Sequence, residues 1–183
     1  MGRVLVVPAT ALPVTLAQAK KSLRIEADST DMDDLVTLWL LGIVRDLEHQ
    51  IGQAVMPQEW LVTADWLYPA IDLPHPVQSV LSVSFLDETG MRRTLDPVTY
   101  QLVVSELEST LVAAPGATWP CGRDVRVSVS CGYGSDPEDV PPNIRLYVLA
   151  KLAEQYDPET KSDRGTVQSK FIDGLLDACR TYR

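Results

Sequence analysis

Only three cysteines, two histidines and two phenylalanines occur in the 183 residues. Cys121, Cys131 and Cys179 are odd in number and show no C-x-x-C spacing, which excludes a disulfide framework and argues against a zinc site. Reduced, buried thiols are the expectation. Long apolar runs are missing as well. The longest nearly unbroken one, Leu35 to Val44, is about half of the roughly 20 residues that a membrane span requires. Met1 to Val7 offers one Arg and four consecutive apolar residues before Pro8, short of the roughly 7 to 15 of a signal-peptide core. No membrane partner is therefore expected, and the chain is expected to stay in the cytoplasm where it is made.

Basic charge is also scarce. Sixteen Lys and Arg face twenty-five Asp and Glu, a formal net charge of −9. The deficit is local: Glu26, Asp28, Asp31, Asp33, Asp34, Asp46, Glu48 and Glu59 stand against Arg45 alone in that stretch. A sequence-specific DNA binder needs a basic face to neutralise phosphates, and here the basic residues are scattered. Tight nucleic-acid binding is not expected on that ground. An acidic face can still serve DNA by repelling it, as in a channel wall along which a duplex slides. The alternative is an ordinary solvated helix face.

Catalytic patterns are absent from the sequence. There is no H-E-x-x-H, G-x-S-x-G or G-x-x-x-x-G-K-[ST]. His49 falls in a helical stretch and His75 between Pro74 and Pro76, and both read as structural. Gly132-Tyr133-Gly134 lacks the third glycine of a dinucleotide fingerprint and reads as a strand-ending turn. Asp28, Asp31, Asp33 and Asp34 lack the glycine and distal Glu of a calcium loop and suit a helix N-terminus better. No enzyme, metal or cofactor is expected.

What is present is ordinary globular composition, 45% hydrophobic and 22% charged. Thr15 with Gln18 three residues on is a capping-box pattern ahead of Leu16, Ala19 and Leu23, which predicts a first helix of about two turns. A second cap at Ser29 or Thr30 opens a long helix running to about Gly52. In it Val36, Leu40, Ile43, Leu47 and Ile51 keep the helical period, while Leu35, Leu38, Trp39 and Leu41 add apolar surface on other faces. That surface can meet the chain's own core or a neighbouring subunit.

From Pro57 to Gly134 the pattern is that of strands. Leu81, Val83 and Phe85 alternate with serines, Asp87-Glu88-Thr89-Gly90 is a turn leading into Met91 to Leu95, and Val125, Val127 and Val129 alternate with Arg126, Ser128 and Ser130. With Trp60 to Ala64, Tyr100 to Val104 and Leu111 to Ala113, about five or six antiparallel strands are predicted. Pro141-Pro142 introduces a helix to Tyr156 carrying Ile144, Val148 and Leu152, Asp157-Pro158 ends it, and a last helical segment holds Val167, Phe171, Leu175 and Cys179. The expected fold class is α+β: a helical bundle made by the N- and C-terminal helices, with a small antiparallel β-sheet domain inserted. The expected parts are residues 1–56 (helical), 57–135 (the β insertion) and 136–183 (helices completing the bundle), with a mobile segment near 157–165.

The order of these pieces resembles a known family, the head-tail connector (neck adaptor) proteins of tailed bacteriophages. The phrases that carry the likeness are Leu16-Ala17-Gln18-Ala19-Lys20 with Leu23-Arg24-Ile25; Asp33-Asp34-Leu35 with Arg45, Glu48, Gly52 and Ala54; Leu73-Pro74-His75-Pro76-Val77-Gln78-Ser79-Val80; Tyr100; Trp119-Pro120; Gly132-Tyr133-Gly134; and Val140-Pro141-Pro142-Asn143-Ile144 with Tyr156. The sequence departs from the family's pattern at Asp157-Pro158-Glu159, with Arg164 following.

The resemblance implies a structural virion protein. About a dozen copies form a ring that joins the portal at the capsid vertex to the next neck or tail protein, and double-stranded DNA passes through without specific binding. The isolated chain can be a monomer that becomes a ring on assembly, in the host cytoplasm, at the head-tail junction of the virion. The expected subunit interface is Leu35, Trp39 and Ile43, and the expected acidic lumen is Asp31, Asp33 and Asp34. The expected portal contact lies within Glu159 to Arg183, at Arg164, Lys170, Phe171 and Arg180. The competing readings are another neck or tail-completion factor, such as a stopper, and a small-ligand binder or enzyme using a cleft between bundle and sheet.

Overall fold

The computed structural model describes residues 1–156, 172 and 174–179. Eight strands and three α-helices follow one another as β1 (Gly2–Val7), α1 (Leu16–Ser22), α2 (Asp33–Ile51), β2 (Gln58–Trp66), β3 (Ala70–Leu73), β4 (Val77–Leu86), β5 (Arg92–Thr94), β6 (Tyr100–Val104), β7 (Ser109–Ala113), β8 (Arg123–Cys131) and α3 (Pro142–Tyr156). They divide into two compact units. A β unit takes Met1–Thr10 with Pro57–Tyr133, and a helical unit takes Ala11–Met56 with Gly134–Arg183.

The β unit holds two antiparallel sheets, one of order β1-β2-β8-β4-β5 and one of order β3-β7-β6. Val125, Val127 and Val129 of β8 are fully buried and pair with Ala64, Val62 and Trp60 of β2. β-branched residues at every second position of a central strand give a continuous apolar face, each such side chain contributing about 1.5–3 kcal/mol by burial. Ile71 and Leu111 are the corresponding buried cross-strand pair of the smaller sheet. Ser109 ties the sheets together: its Oγ accepts the Val77 N–H (3.3 Å) and lies 2.9 Å from His75 Nδ1. His75 precedes Pro76 through a cis peptide bond.

The β4–β5 hairpin is organised by one side chain. Asp87 Oδ1 accepts from Thr89 N, Thr89 Oγ1 and Met91 N, and its Oδ2 accepts from Arg93 Nε at 3.0 Å. Gly90 supplies the left-handed residue of the turn at φ 82°.

In the helical unit, α1 starts on a complete capping box. Thr15 Oγ1 accepts from Gln18 N (3.1 Å) and Gln18 Oε1 accepts from Thr15 N (3.0 Å). Helix α2 starts later than the cap at Ser29 or Thr30 predicts, after Met32, with no side-chain cap bond. The reason is Lys20, whose buried ammonium donates to the Ala27 and Ser29 carbonyls and pairs with Asp33. Those carbonyls hold the chain in a turn where a helix would otherwise begin. Helix α2 buries Val36, Leu40, Val44, Leu47 and Ile51, with Val44 in place of Ile43, and ends on Gly52 in the left-handed conformation at φ 69°. Helix α3 buries Ile144, Tyr147, Val148 and Leu152. Ile172 and Leu176 join the same buried set, and Asn143 Nδ2 donates to the Leu175 carbonyl (2.9 Å) while Gln53 Nε2 donates to that of Cys179 (2.7 Å).

The expected fold class, a helical bundle with one small inserted sheet, is corrected by this architecture. Two sheets of eight strands accompany three α-helices in the described residues, and strand residues there outnumber those in α-helices. Two strands escaped the sequence pattern for physical reasons. β1 is an edge strand, exposed along almost its whole length, and so shows no alternation. β3 has four residues, too few to establish a period. The predicted mobile segment near 157–165 lies outside the described residues.

Candidate functional site

The groups that could carry chemistry are already engaged in structure. Ser109 and His75 sit within hydrogen-bond distance as a nucleophile and base would, but Ser109 is 0% and His75 4% exposed, which leaves no path for a substrate. Cys131 Sγ faces the Pro74 carbonyl at 3.5 Å, and burial pushes its thiol up to about 12 against the opposing charge of Arg3. Cys179 is buried and Cys121 is exposed. Among the described residues no three His, Cys, Asp or Glu side chains gather where they could hold a metal ion. No helix among them is long and apolar enough to cross a membrane.

A wide recess of about 770 Å³ opens on the β unit, lined in part by Thr63, Asp65, Trp66, Arg123, Asp124 and Arg126. Its polar centre is Asp124, held at φ 48° with its carboxylate against Arg92 and, at 3.2 Å, Arg126. Partial burial pushes this carboxyl up, and the hydrogen bonds and charges of Arg92 and Arg126 outweigh it to leave the group below its usual range. The cluster is a locally compensated surface network rather than an acid or base poised for proton transfer.

An exposed apolar surface lies on the outer side of α2. Leu35, Leu38 and Leu41 are exposed there, Leu38 to 63%. At 100° per residue they fan across the side opposite the buried stripe, and Gly42 lies among them. Of the residues expected to form a subunit interface, Leu35 is thus on this surface. Trp39 and Ile43 are half-buried on its flank, and the Trp39 ring meets Tyr156 edge-on with centroids 6.4 Å apart. Of the expected acidic lumen, Asp31 and Asp34 are exposed, while Asp33 is committed to Lys20 at 2.8 Å. Leu38 and Leu41, which the sequence pattern places among the extra apolar residues of the helix, are more exposed than Trp39, whose Tyr156 contact is invisible in a local pattern. Arg164, Lys170, Phe171 and Arg180 lie outside the described residues.

Comparison with known proteins bears on fold. No family model matches the chain, and no curated protein sequence matches it. Solved structures do match over the whole chain. A chain of the virion of a native gene transfer agent particle superposes with a TM-score of 0.78 at 22% identity, covering 100% of this chain and 97% of that one. A chain from the neck of the empty particle, computed with C6 symmetry, gives 0.76 at 20% identity with the same coverage. A chain from the neck of the native particle, computed with C12 symmetry, gives 0.68 at 21% identity over 100% and 95% of the two chains. The chain has the fold, end to end, of chains in the virion and neck of gene transfer agent particles.

Proposed function

We propose that this protein is a structural, non-enzymatic component of the neck of a phage-like particle. About a dozen copies form a ring that joins the portal at the capsid vertex to the next neck or tail protein and surrounds the DNA channel. The observation that carries this reading is the end-to-end likeness of fold to chains of a particle neck computed with C6 and C12 symmetry. The sequence phrases shared with head-tail connectors support it independently of that likeness.

The outer side of α2 supplies the subunit contact in this reading, with Leu35, Leu38 and Leu41 as its exposed apolar residues and Trp39 at its edge. Asp31 and Asp34 face the channel, where negative charge keeps the duplex from sticking. Arg164, Lys170, Phe171 and Arg180 reach the portal. The test is light scattering coupled to gel filtration, on the chain alone and mixed with the portal ring from the same genome. A ring-sized species, or comigration with the portal that Arg164→Glu with Arg180→Glu abolishes, is the expected result. Substitution is preferred to truncation because Ile172 and Leu176 are buried in the helical unit. A chain that stays monomeric and ignores the portal overturns the reading.

A further inference from the structure

In the helical unit each of α1, α2 and α3 touches both others, so the outer side of α2 and the groove between α1 and α3 lie on opposite sides of the three-helix cluster. Each side carries something the chain alone does not account for. On α2, Leu35, Leu38 and Leu41 are exposed around Gly42. Glycine is the poorest helix former after proline. A Cβ at Gly42 would meet nothing within 4 Å, so no contact inside the chain requires the missing side chain. The result is a notch in an apolar surface. One turn further on the same side becomes polar, with Arg45, Asp46 and His49 exposed, so the apolar patch is bounded.

The α1–α3 groove has the complementary character. It is an open depression of about 420 Å³ lined in part by Val14, Leu146 and Leu149, with Lys21 and Arg145 also in its lining. Leu146 stands out of it at 48% exposure. Arg145 Nε is buried with no hydrogen-bond partner among the described residues.

We propose that these two sides meet between neighbouring copies of this chain. The outer side of α2 in one copy lies in the α1–α3 groove of the next, with Leu146 entering the notch over Gly42 as a knob enters a hole between helical turns. Lys21 and Arg145 then face Asp31 and Asp34 of the neighbour, which fixes the direction of docking by charge. Because the two surfaces differ and lie on opposite sides, the contact is heterologous and propagates from copy to copy until a ring closes. This inference rests on the ring reading and names its interface.

Oxidative crosslinking of the full chain tests it. In a Cys121→Ser background, which removes the exposed thiol, Gly42→Cys and Leu146→Cys are combined in one chain. A disulfide needs Cα atoms about 4.4–6.8 Å apart, which the docked arrangement provides and a free monomer does not. The expected result is a covalent ladder running past the dimer, whereas either cysteine alone, which meets no partner thiol across a heterologous contact, gives no ladder. Gly42→Gln is expected to abolish assembly without lowering the melting temperature of the monomer, since glutamine favours a helix over glycine. Ring-sized species that give no ladder, or Gly42→Gln assembling like the parent, overturn this interface and leave the ring reading standing. A chain that forms no ring, ignores the portal and gives no ladder removes both.

Discussion

Lys20 and Asp33 form an ion pair of 2.8 Å between α1 and the first turn of α2, with side-chain exposures of 6% and 28%. The same ammonium donates to the carbonyls of Ala27 and Ser29, so one buried cation closes the loop between the two helices. Lys20→Met leaves those acceptors and the carboxylate without their partner. The expected loss is about 2–3 kcal/mol in urea unfolding, below the 3–5 of a fully buried broken pair because Asp33 remains partly solvated. Asp33→Asn is expected to lose about 1 kcal/mol, since Lys20 keeps both carbonyls. Equal losses for the two variants would show that the ion pair alone matters.

Ser109 is the corresponding tie in the β unit. Ser109→Ala leaves the Val77 N–H and His75 Nδ1 without the hydroxyl they share in a site closed to water, and about 2 kcal/mol should be lost. The exposed Ser105, which bonds only within its own turn, serves as control and should change stability by less than about 0.5 kcal/mol as Ser105→Ala. A similar effect of both substitutions would mean that the hydroxyl does not join the sheets.

Much of this was legible from local sequence, because the devices concerned are local. The Thr15–Gln18 capping box, the Asp87 to Gly90 turn, the Val125, Val127 and Val129 face and the Ile144, Val148 and Leu152 stripe all stand where the pattern places them. What failed depends on distant partners. Leu81 keeps period with Val83 and Phe85 in sequence but is exposed while they are buried, because the β4 register against β8 shifts between Val80 and Ser82. An extra residue in a strand re-aims its side chain, and only the partner strand reveals it.

The start of α2 shows the same limit. Ser29 and Thr30 have the chemistry of a cap, and nothing in their neighbourhood announces that Lys20 will claim the adjacent carbonyls. The apolar surface of α2 was legible as surplus hydrophobicity, without its exposed members being separable from its packed ones. The Trp39 contact with Tyr156 and the burial of Val44 in place of Ile43 decide that division in three dimensions.

Asp87 gives a pH dependence with a definite sign. Its carboxylate accepts from the Thr89 hydroxyl, then from Arg93 and the Met91 backbone, and these bonds hold it well below its ordinary value of 3.8. The folded form therefore resists protonation more than the unfolded form does. The stabilisation is fully present above the unfolded value and is lost as pH falls through the depressed folded value. Melting temperatures of the parent and Asp87→Asn should differ by a constant amount above about pH 5 and converge on acidification. A difference that grows toward acid would mean that the hairpin does not hold the charged form.

Gly42 separates what the chain needs from what its assembly needs. If only the chain mattered, alanine would be the better residue, because it favours a helix by about 1 kcal/mol over glycine and its Cβ meets no atom within 4 Å. Gly42→Ala is therefore expected to raise the melting temperature of the isolated protein by roughly 2–4 °C, the shift that about 1 kcal/mol produces in a chain of this size. The added methyl partly fills the notch that Leu146 of a neighbour would enter, so the same variant should assemble less well than the parent and better than Gly42→Gln. Stability and assembly then move in opposite directions under one substitution. A destabilised Gly42→Ala monomer would show instead that the helix itself requires glycine at this position, and the argument for close approach of a second chain would lose its footing.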